Sequence, residues 1–226
     1  MKKIGVIVNT KRPRAEGIFS EFRRLAASHG FVLFAESETM ADLFDAGHLP
    51  IKEFANEVDV VVAMGGDGTM LYAARALEGS GIPIMGINLG SLGFLTSVSD
   101  QEIAAGLNAL KTGEFEVSER EMATCRVIKD GVVKGEEPAL NDIVLGWGAS
   151  SRIVTLELSI GERSVGTFMC DGMIISTPTG STGHSLSSGG AILHPEIRGF
   201  GVNLICPQTL SSRPLVIPSS SPVSYT

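Results

Sequence analysis

Apolar and polar positions divide the chain into two stretches of different rhythm. Residues 4–8, Ile-Gly-Val-Ile-Val, form an unbroken apolar run rich in β-branched side chains, the mark of a strand buried on both faces. Ile18, Phe22, Leu25 and Ala26 recur at helical spacing, and Gly30 ends that helix before an apolar segment over 31–34 that predicts a strand. A second buried strand is predicted over 58–64, a helix over 70–77 and a further strand over 82–87. Strands alternating with helices through short glycine turns predict an α/β fold with a parallel sheet and right-handed crossovers over residues 1–100.

After a helix predicted over 101–110, the rhythm changes. Val154, Leu156, Leu158 and Ile160 point to one side of an alternating stretch, and Thr155, Glu157 and Ser159 to the other. Residues 122–128, 142–147 and 202–206 also read as strands, so 101–226 is expected to form a second, mostly β domain.

Composition narrows the classes. Apolar residues make up 43% and charged residues 19%, which fits a folded globular protein rather than a disordered one. The net charge of −7, with no basic run beyond Lys11-Arg12-Pro13-Arg14, argues against nucleic acid as a partner. That cluster reads as a solvated loop, with the alternative of clamping a polyphosphate donor. No apolar stretch reaches the ~20 residues needed to span a bilayer, so no membrane partner is expected. Cys125, Cys170 and Cys206 are widely spaced and read as reduced core thiols of a cytoplasmic protein. His29, His48, His184 and His194 lack ligand spacing, so no protein-held metal site is expected.

Four segments carry the chemistry. Gly65-Gly66-Asp67-Gly68-Thr69 follows a predicted buried strand and opens a helix, where free backbone N–H groups at the strand's carboxyl end can bind phosphate. A carboxylate in such a cradle opposes an anion unless it meets Mg²⁺ or takes a proton from an attacking hydroxyl; otherwise Asp67 merely caps the helix. The loop from Gly86 to Leu95 follows the next strand. Asn88 there either contacts a ligand or holds the turn, and Phe94 and Leu95 are expected in the core. Asn141-Asp142 pairs an amide with a carboxylate, suited to ribose hydroxyls or an adenine edge, or simply to a strand-entry turn. The fourth segment, Asp171 through Gly190, runs from a strand into Thr177-Pro178-Thr179-Gly180-Ser181-Thr182-Gly183-His184-Ser185-Leu186-Ser187. This loop is dense in hydroxyls and glycine and able to enclose a nucleotide, unless it is an exposed linker.

Together these segments resemble the NAD kinase family over nearly the whole chain. Lipid kinases and phosphofructokinases share the glycine-aspartate turn; the pairing of Asn141-Asp142 with Thr177–Thr182 is far more particular. The resemblance implies an α/β domain, a β-rich domain and NAD in the cleft between them. It implies phosphorylation of the 2′-hydroxyl of the adenosine ribose of NAD, with ATP or polyphosphate as donor and Mg²⁺ or another divalent ion accompanying it. Asp67 then matches the catalytic base, and Gly65, Gly66, Gly68, Thr69 and Asn88 match the phosphate and nucleotide loops. Asn141, Asp142, Arg152, Asp171, Thr182, Gly183, His184, Ser185, Leu186 and Ser187 match the dinucleotide contacts. Homodimers or homotetramers are the implied assembly. A non-catalytic NAD-binding module and a lipid kinase using the same turn are the rival readings.

Some positions depart from the family pattern. Gly183-His184 stands where Ala-Tyr is usual, replacing a phenol with an imidazole whose charge changes with pH. Asp142 is one methylene shorter than the common Glu, Met169 replaces a frequent Arg, and Gln208 a frequent His. Relatives continue past the segment matching Pro218–Thr226, so the second domain is expected to be incomplete at its C-terminus, with an unpaired sheet edge.

Overall fold

The computed structural model describes residues 2–12, 14–90, 93–146, 153–209 and 211–226, in two compact units, Met1–Val117 and Ser118–Thr226. The first unit runs β1 (Lys3–Val8), α1 (Ala15–His29), β2 (Val32–Ala35), α2 (Glu38–Phe44), β3 (Gly47–His48), α3 (Ile51–Glu57), β4 (Val60–Gly65), α4 (Asp67–Ala76), β5 (Ile84–Asn88), β6 (Val98–Ser99) and α5 (Ile103–Thr112). Its strands form one parallel sheet in the order β3-β2-β1-β4-β5-β6.

Alternate residues of the central strands feed two cores. Ile4, Val6 and Val8 of β1 and Val60, Val62 and Met64 of β4 pack with Phe19 and Phe22 of α1 and with Ile103, Leu107 and Leu110 of α5. Ile7, Val61 and Ala63 face the other way, onto Phe54, Ala73 and Leu77. Every residue of β4 is buried, which is why the run shows no alternation. Helix α1 presents Ile18, Phe19, Phe22 and Ala26 to this sheet and stops where Gly30 takes a left-handed conformation.

The expected α/β architecture with a parallel sheet, followed by a mostly β region, is what the structure shows. The expected boundary at 100/101 differs from the division between the compact units at 117/118, because α5 buries Ile103, Leu107 and Leu110 in the first unit's core. Two seven-residue helices, α2 and α3, went unpredicted, and α4 begins at Asp67 rather than residue 70.

The second unit contains β7 (Ala123–Lys129), β8 (Val132–Ala139), β9 (Asp142–Gly146), β10 (Val154–Ile160), β11 (Arg163–Cys170), β12 (Gly172–Ser176), the single-turn α6 (His184–Ser187), β13 (Gly199–Ile205), β14 (Leu215–Pro218) and β15 (Val223–Tyr225). Its pairings are antiparallel: a four-stranded sheet β14-β13-β12-β9, a three-stranded sheet β11-β10-β15 and a separate hairpin β7-β8. Leu156 and Leu158 of β10 pack with Met173 and Ile175 of β12, Val202 of β13 and Ile217 of β14. The terminal strand β15 hydrogen-bonds to β10 on one side and ends its sheet.

Candidate active site

In the first sheet the chain order reverses direction between β1 and β4, and the carboxyl ends of those two strands open a crevice at the switch point. Asn9 follows β1 and Gly66 follows β4, and both line a cavity of about 280 Å³. Arg12, Glu36, Gly68, Thr69 and Tyr72 also line it, over a floor of Ile7 and Val8 from β1. The first amides of α4 have no partner inside the helix and carry the positive end of its dipole.

Asp67 is not a helix cap. Gly66 occupies the capping position, and no side chain closes that end. Instead the Asp67 carboxylate accepts the backbone amides of Phe94 and Leu95, at 3.0 and 3.1 Å, one on each oxygen. A doubly held carboxylate keeps a fixed direction, and each oxygen retains a further lone pair for another donor. The approach is so close that a β-carbon on Gly93 would lie 2.1 Å from Asp67 Oδ1, so only glycine fits there.

The neighbouring loop corrects one expectation. Phe94 is 78% exposed, not core. Its amide is committed to Asp67, which leaves the ring on the solvent side. Asn88 is buried, and its side-chain oxygen accepts the Gly90 amide at 2.9 Å, so it holds the turn. Ser91 and Leu92 lie outside the described residues, as does Arg152.

In the second unit the hydroxyl-rich loop is no solvent-exposed linker. Ser176, Thr177, Ser181 and Ser185 are buried, and three of these hydroxyls serve the fold itself. Thr177 Oγ1 donates to the Leu140 carbonyl and accepts the Gly180 amide, Ser176 Oγ donates to the Thr177 carbonyl, and Ser181 Oγ donates to the Pro178 carbonyl while accepting the Leu193 amide. Of the residues matched to dinucleotide contacts, Gly183, His184, Leu186 and Ser187 are exposed and Thr182 half-buried, whereas Ser185 turns inward. Asp142 is half-buried beside His184; burial pushes its carboxyl above the ordinary range, and the imidazole's charge works against that shift. The side-chain oxygen of Asn141 is buried without a hydrogen-bond partner, a cost that a ligand donor would relieve. Asp171 is half-buried and gives its amide to Ile205, which places it at the start of β12.

Comparison with known proteins settles the lineage. The ATP-NAD kinase N-terminal domain model matches residues 4–115 and the ATP-NAD kinase C-terminal domain model matches 140–226. A protein from Citrifermentans bemidjiense named NAD kinase is 40% identical over 227 aligned residues, covering 99% of this chain and 79% of that protein. The chain belongs to the NAD kinase family. A crystal structure of yeast NADH kinase complexed with NADH superimposes with a TM-score of 0.90 at 24% identity, over all of this chain and 72% of that one. A crystal structure of an NAD kinase from Archaeoglobus fulgidus in complex with ATP gives a TM-score of 0.77 at 25% identity, over all of this chain and 80% of that one.

Against that family background, Arg12, Glu36, Tyr72 and the exposed ring of Phe94 are the residues that motif reading undervalued. Glu36 and Tyr72 belong to no glycine-rich signature. Their signal is topological: Glu36 directly follows the strand beside β1, and Tyr72 lies one turn beyond Gly68 on α4. The expected core cysteines are also corrected, since Cys206 is exposed and Cys125 half-buried; Cys170 alone is fully inside. No helix among the described residues is long and apolar enough to cross a membrane.

Proposed function

We propose that this chain transfers a phosphoryl group from ATP or polyphosphate to the 2′-hydroxyl of the adenosine ribose of NAD, forming NADP. The observation that carries the reading is the placement of Asp67: a carboxylate fixed by two backbone amides at the head of a helix, where phosphate-binding amides begin. A ribose hydroxyl is a weak nucleophile at neutral pH, and a carboxylate within hydrogen-bond reach takes its proton as the bond to phosphorus forms. The hydroxyl oxygen gains the phosphoryl group, the P–O bond to the donor breaks, and the donor leaves one phosphate shorter. Gly65, Gly66, Gly68 and Thr69 shape the phosphate turn, with Asn88 holding the loop beside it.

Dinucleotide contacts fall to Asn141, Asp142, Asp171, Thr182, Gly183, His184, Leu186 and Ser187, with Ser185 supporting them from within and Arg152 added by the family resemblance. The described residues hold no group of three acidic, histidine or cysteine side chains fit for a metal. Mg²⁺ would arrive on the donor's phosphates and would neutralise charge building on the transferred group. The Archaeoglobus fulgidus relative's ATP supports a nucleotide donor. A cytoplasmic homodimer or homotetramer completes the reading, on the family resemblance.

The test is to incubate the chain with NAD, Mg²⁺ and either donor, and to detect NADP with an NADP-specific dehydrogenase. Asp67→Asn should lower the rate roughly 10²–10⁴-fold. NAD affinity and melting temperature, measured beside the rate, separate loss of the base from displacement of the 93–95 loop, because the amide keeps one acceptor oxygen but sets its NH2 against a backbone N–H. An Asn variant that still forms NADP at the parent rate removes Asp67 from the proton-transfer role.

A further inference from the structure

The switch-point cavity has two ends of opposite chemistry. At one, the Arg12 guanidinium hangs between the two glycine turns: a β-carbon on Gly66 would lie 3.4 Å from Arg12 Nη2, and one on Gly90 4.0 Å from Nη1. Arg12 has no carboxylate partner among the described residues, and it shares that end with the opening amides of α4. A guanidinium beside free helix amides has the chemistry to bind phosphate. At the other, Tyr72 Oη donates to Glu36 Oε2 at 2.9 Å, both residues line the cavity, and the carboxylate keeps further acceptor capacity. An anion has no use for a carboxylate, but vicinal hydroxyls do, and a carboxylate at the carboxyl end of the strand next to β1 is a common ribose-binding position in doubly wound sheets.

We propose that Glu36, held by Tyr72, binds the ribose hydroxyls of a nucleoside triphosphate whose phosphates reach Arg12 and the head of α4, and so makes this chain select a nucleotide donor over polyphosphate. The proposal rests on the kinase reading and adds to it the donor class and the residues that choose it. Burial raises the Glu36 carboxyl above its ordinary range, with the Tyr72 hydrogen bond opposing, which is the environment in which an added hydroxyl donor counts most. The cavity, about 280 Å³, lies near the lower bound of small-molecule pockets, which suits the sugar and phosphates better than a whole nucleotide with its base enclosed. Tyr72 is half exposed, so the pair is reachable from solvent.

The test is calorimetric titration of the full chain, saturated with NAD, using the β,γ-imido analogue of ATP and the 2′,3′-dideoxy form of that analogue. The parent should bind the dideoxy form at least about 10-fold more weakly, the range for a hydrogen bond to a charged group. Glu36→Ala should bring the two ligands within about twofold of each other, and Tyr72→Phe should reduce the gap in part. Arg12→Ala should weaken both ligands by the same factor and leave the gap intact. A parent that binds the two analogues alike overturns the proposal whatever the variants do, as does a Glu36→Ala protein that keeps the full gap. The kinase reading fails separately: a parent that discriminates the hydroxyls yet makes no NADP keeps the donor site and loses the transfer. A parent that makes NADP without discriminating does the reverse, and one that binds neither analogue overturns the donor site.

Discussion

The first unit exposes its chemistry at the open ends of buried strands, whereas the second rests it on a loop whose own hydroxyls are buried. Glycine at 68 and glycine at 180 show the difference. A β-carbon on Gly68 would meet nothing within 4 Å, since the residue faces the cavity. A β-carbon on Gly180 would lie 2.1 Å from the Asn141 carbonyl oxygen and 2.4 Å from its carbon. Neither glycine has a positive φ, so the contrast is one of space alone. Gly68 leaves room for a ligand, whereas Gly180 lets one segment of the protein lie on another, bringing Asn141 against the loop. Polar groups follow the same division. Asp67 is fixed by amides and keeps lone pairs to offer, while Thr177 and Ser181 are committed to carbonyls and amides of their own unit.

The sharpest way to break this contrast is to put a methyl group at both positions. Gly180→Ala should destabilise the protein by about 3 kcal/mol or more, because backbone rather than a flexible side chain must move, with a fall in Tm on the order of 10 °C. NADP formation should fall with it as Asn141 is displaced. Gly68→Ala should hold or raise the melting temperature, since alanine outranks glycine in a helix by about 0.5–1 kcal/mol. Its NADP formation should nevertheless drop at least tenfold, as the methyl enters the phosphate end of the cavity. Calorimetric melting beside the NADP assay separates the two effects. A stable, active Gly180→Ala protein would mean that the loop and Asn141 can separate without loss of the site.

A smaller effect should distinguish the ligand-facing surface of the second unit from its buried framework. Asp142 and His184 are 42 positions apart in the chain yet close enough for the imidazole's charge to act on the carboxyl. Burial raises the Asp142 carboxyl, so it takes up a proton at higher pH than an ordinary aspartate, and the neighbouring imidazole's charge opposes that uptake. Protonation removes an acceptor for ligand hydroxyls, so KM for NAD should rise on the acid side of neutrality. His184→Tyr removes the opposing charge, so that rise should begin at higher pH, while the melting temperature stays within about two degrees because the side chain is exposed. An unshifted profile in the Tyr variant would assign the pH dependence elsewhere.

How much of this was legible depended on what each residue is buried against. The runs at 4–8 and 58–64 read as doubly buried strands because both faces of that sheet are covered, and α1 announced itself through Ile18, Phe22 and Ala26. Helices α2 and α3 are too short for periodicity to accumulate: α2 buries only Ala41 and Phe44, and α3 only Phe54. Strand β8 escaped notice because six of its eight residues are exposed, which erases the alternation that marked β10. Phe94 misled because an apolar side chain is ordinarily assigned to the core, and the cause of its exposure is an amide hydrogen bond to a residue 27 positions earlier. Glycine motifs located the turn at Asp67 but carried no word of Glu36 and Tyr72, since their meeting depends on β2 lying beside β1.

The smallest expected effect lies at the opposite end of the first sheet from the site, where the starts of its two central strands are fastened together. Asp59, in the turn before β4, accepts the backbone amides of Lys2 and Lys3 at 2.6 and 2.9 Å and thereby fastens the start of β1 to the start of β4. Those two amides hold its carboxyl below the ordinary value of 3.8, with partial burial opposing and the Lys3 charge assisting. A depressed folded-state value means that the contribution is complete above the ordinary carboxylate range and is lost as pH falls through the lower folded value. The residue is largely exposed, so solvent screening limits the worth of the charge to roughly 0.5 kcal/mol, or about 1–2 °C in Tm. Asp59→Asn should therefore melt slightly below the parent at pH 7, and the two curves should converge as the pH is taken below the carboxyl's lowered folded-state range. Hydrogen exchange should show the loss in β1 amides and none in β12, because the fastening serves the first unit alone. A gap between the two proteins that stays constant down to pH 2 would show that the side chain acts through its shape and amide acceptors rather than its charge.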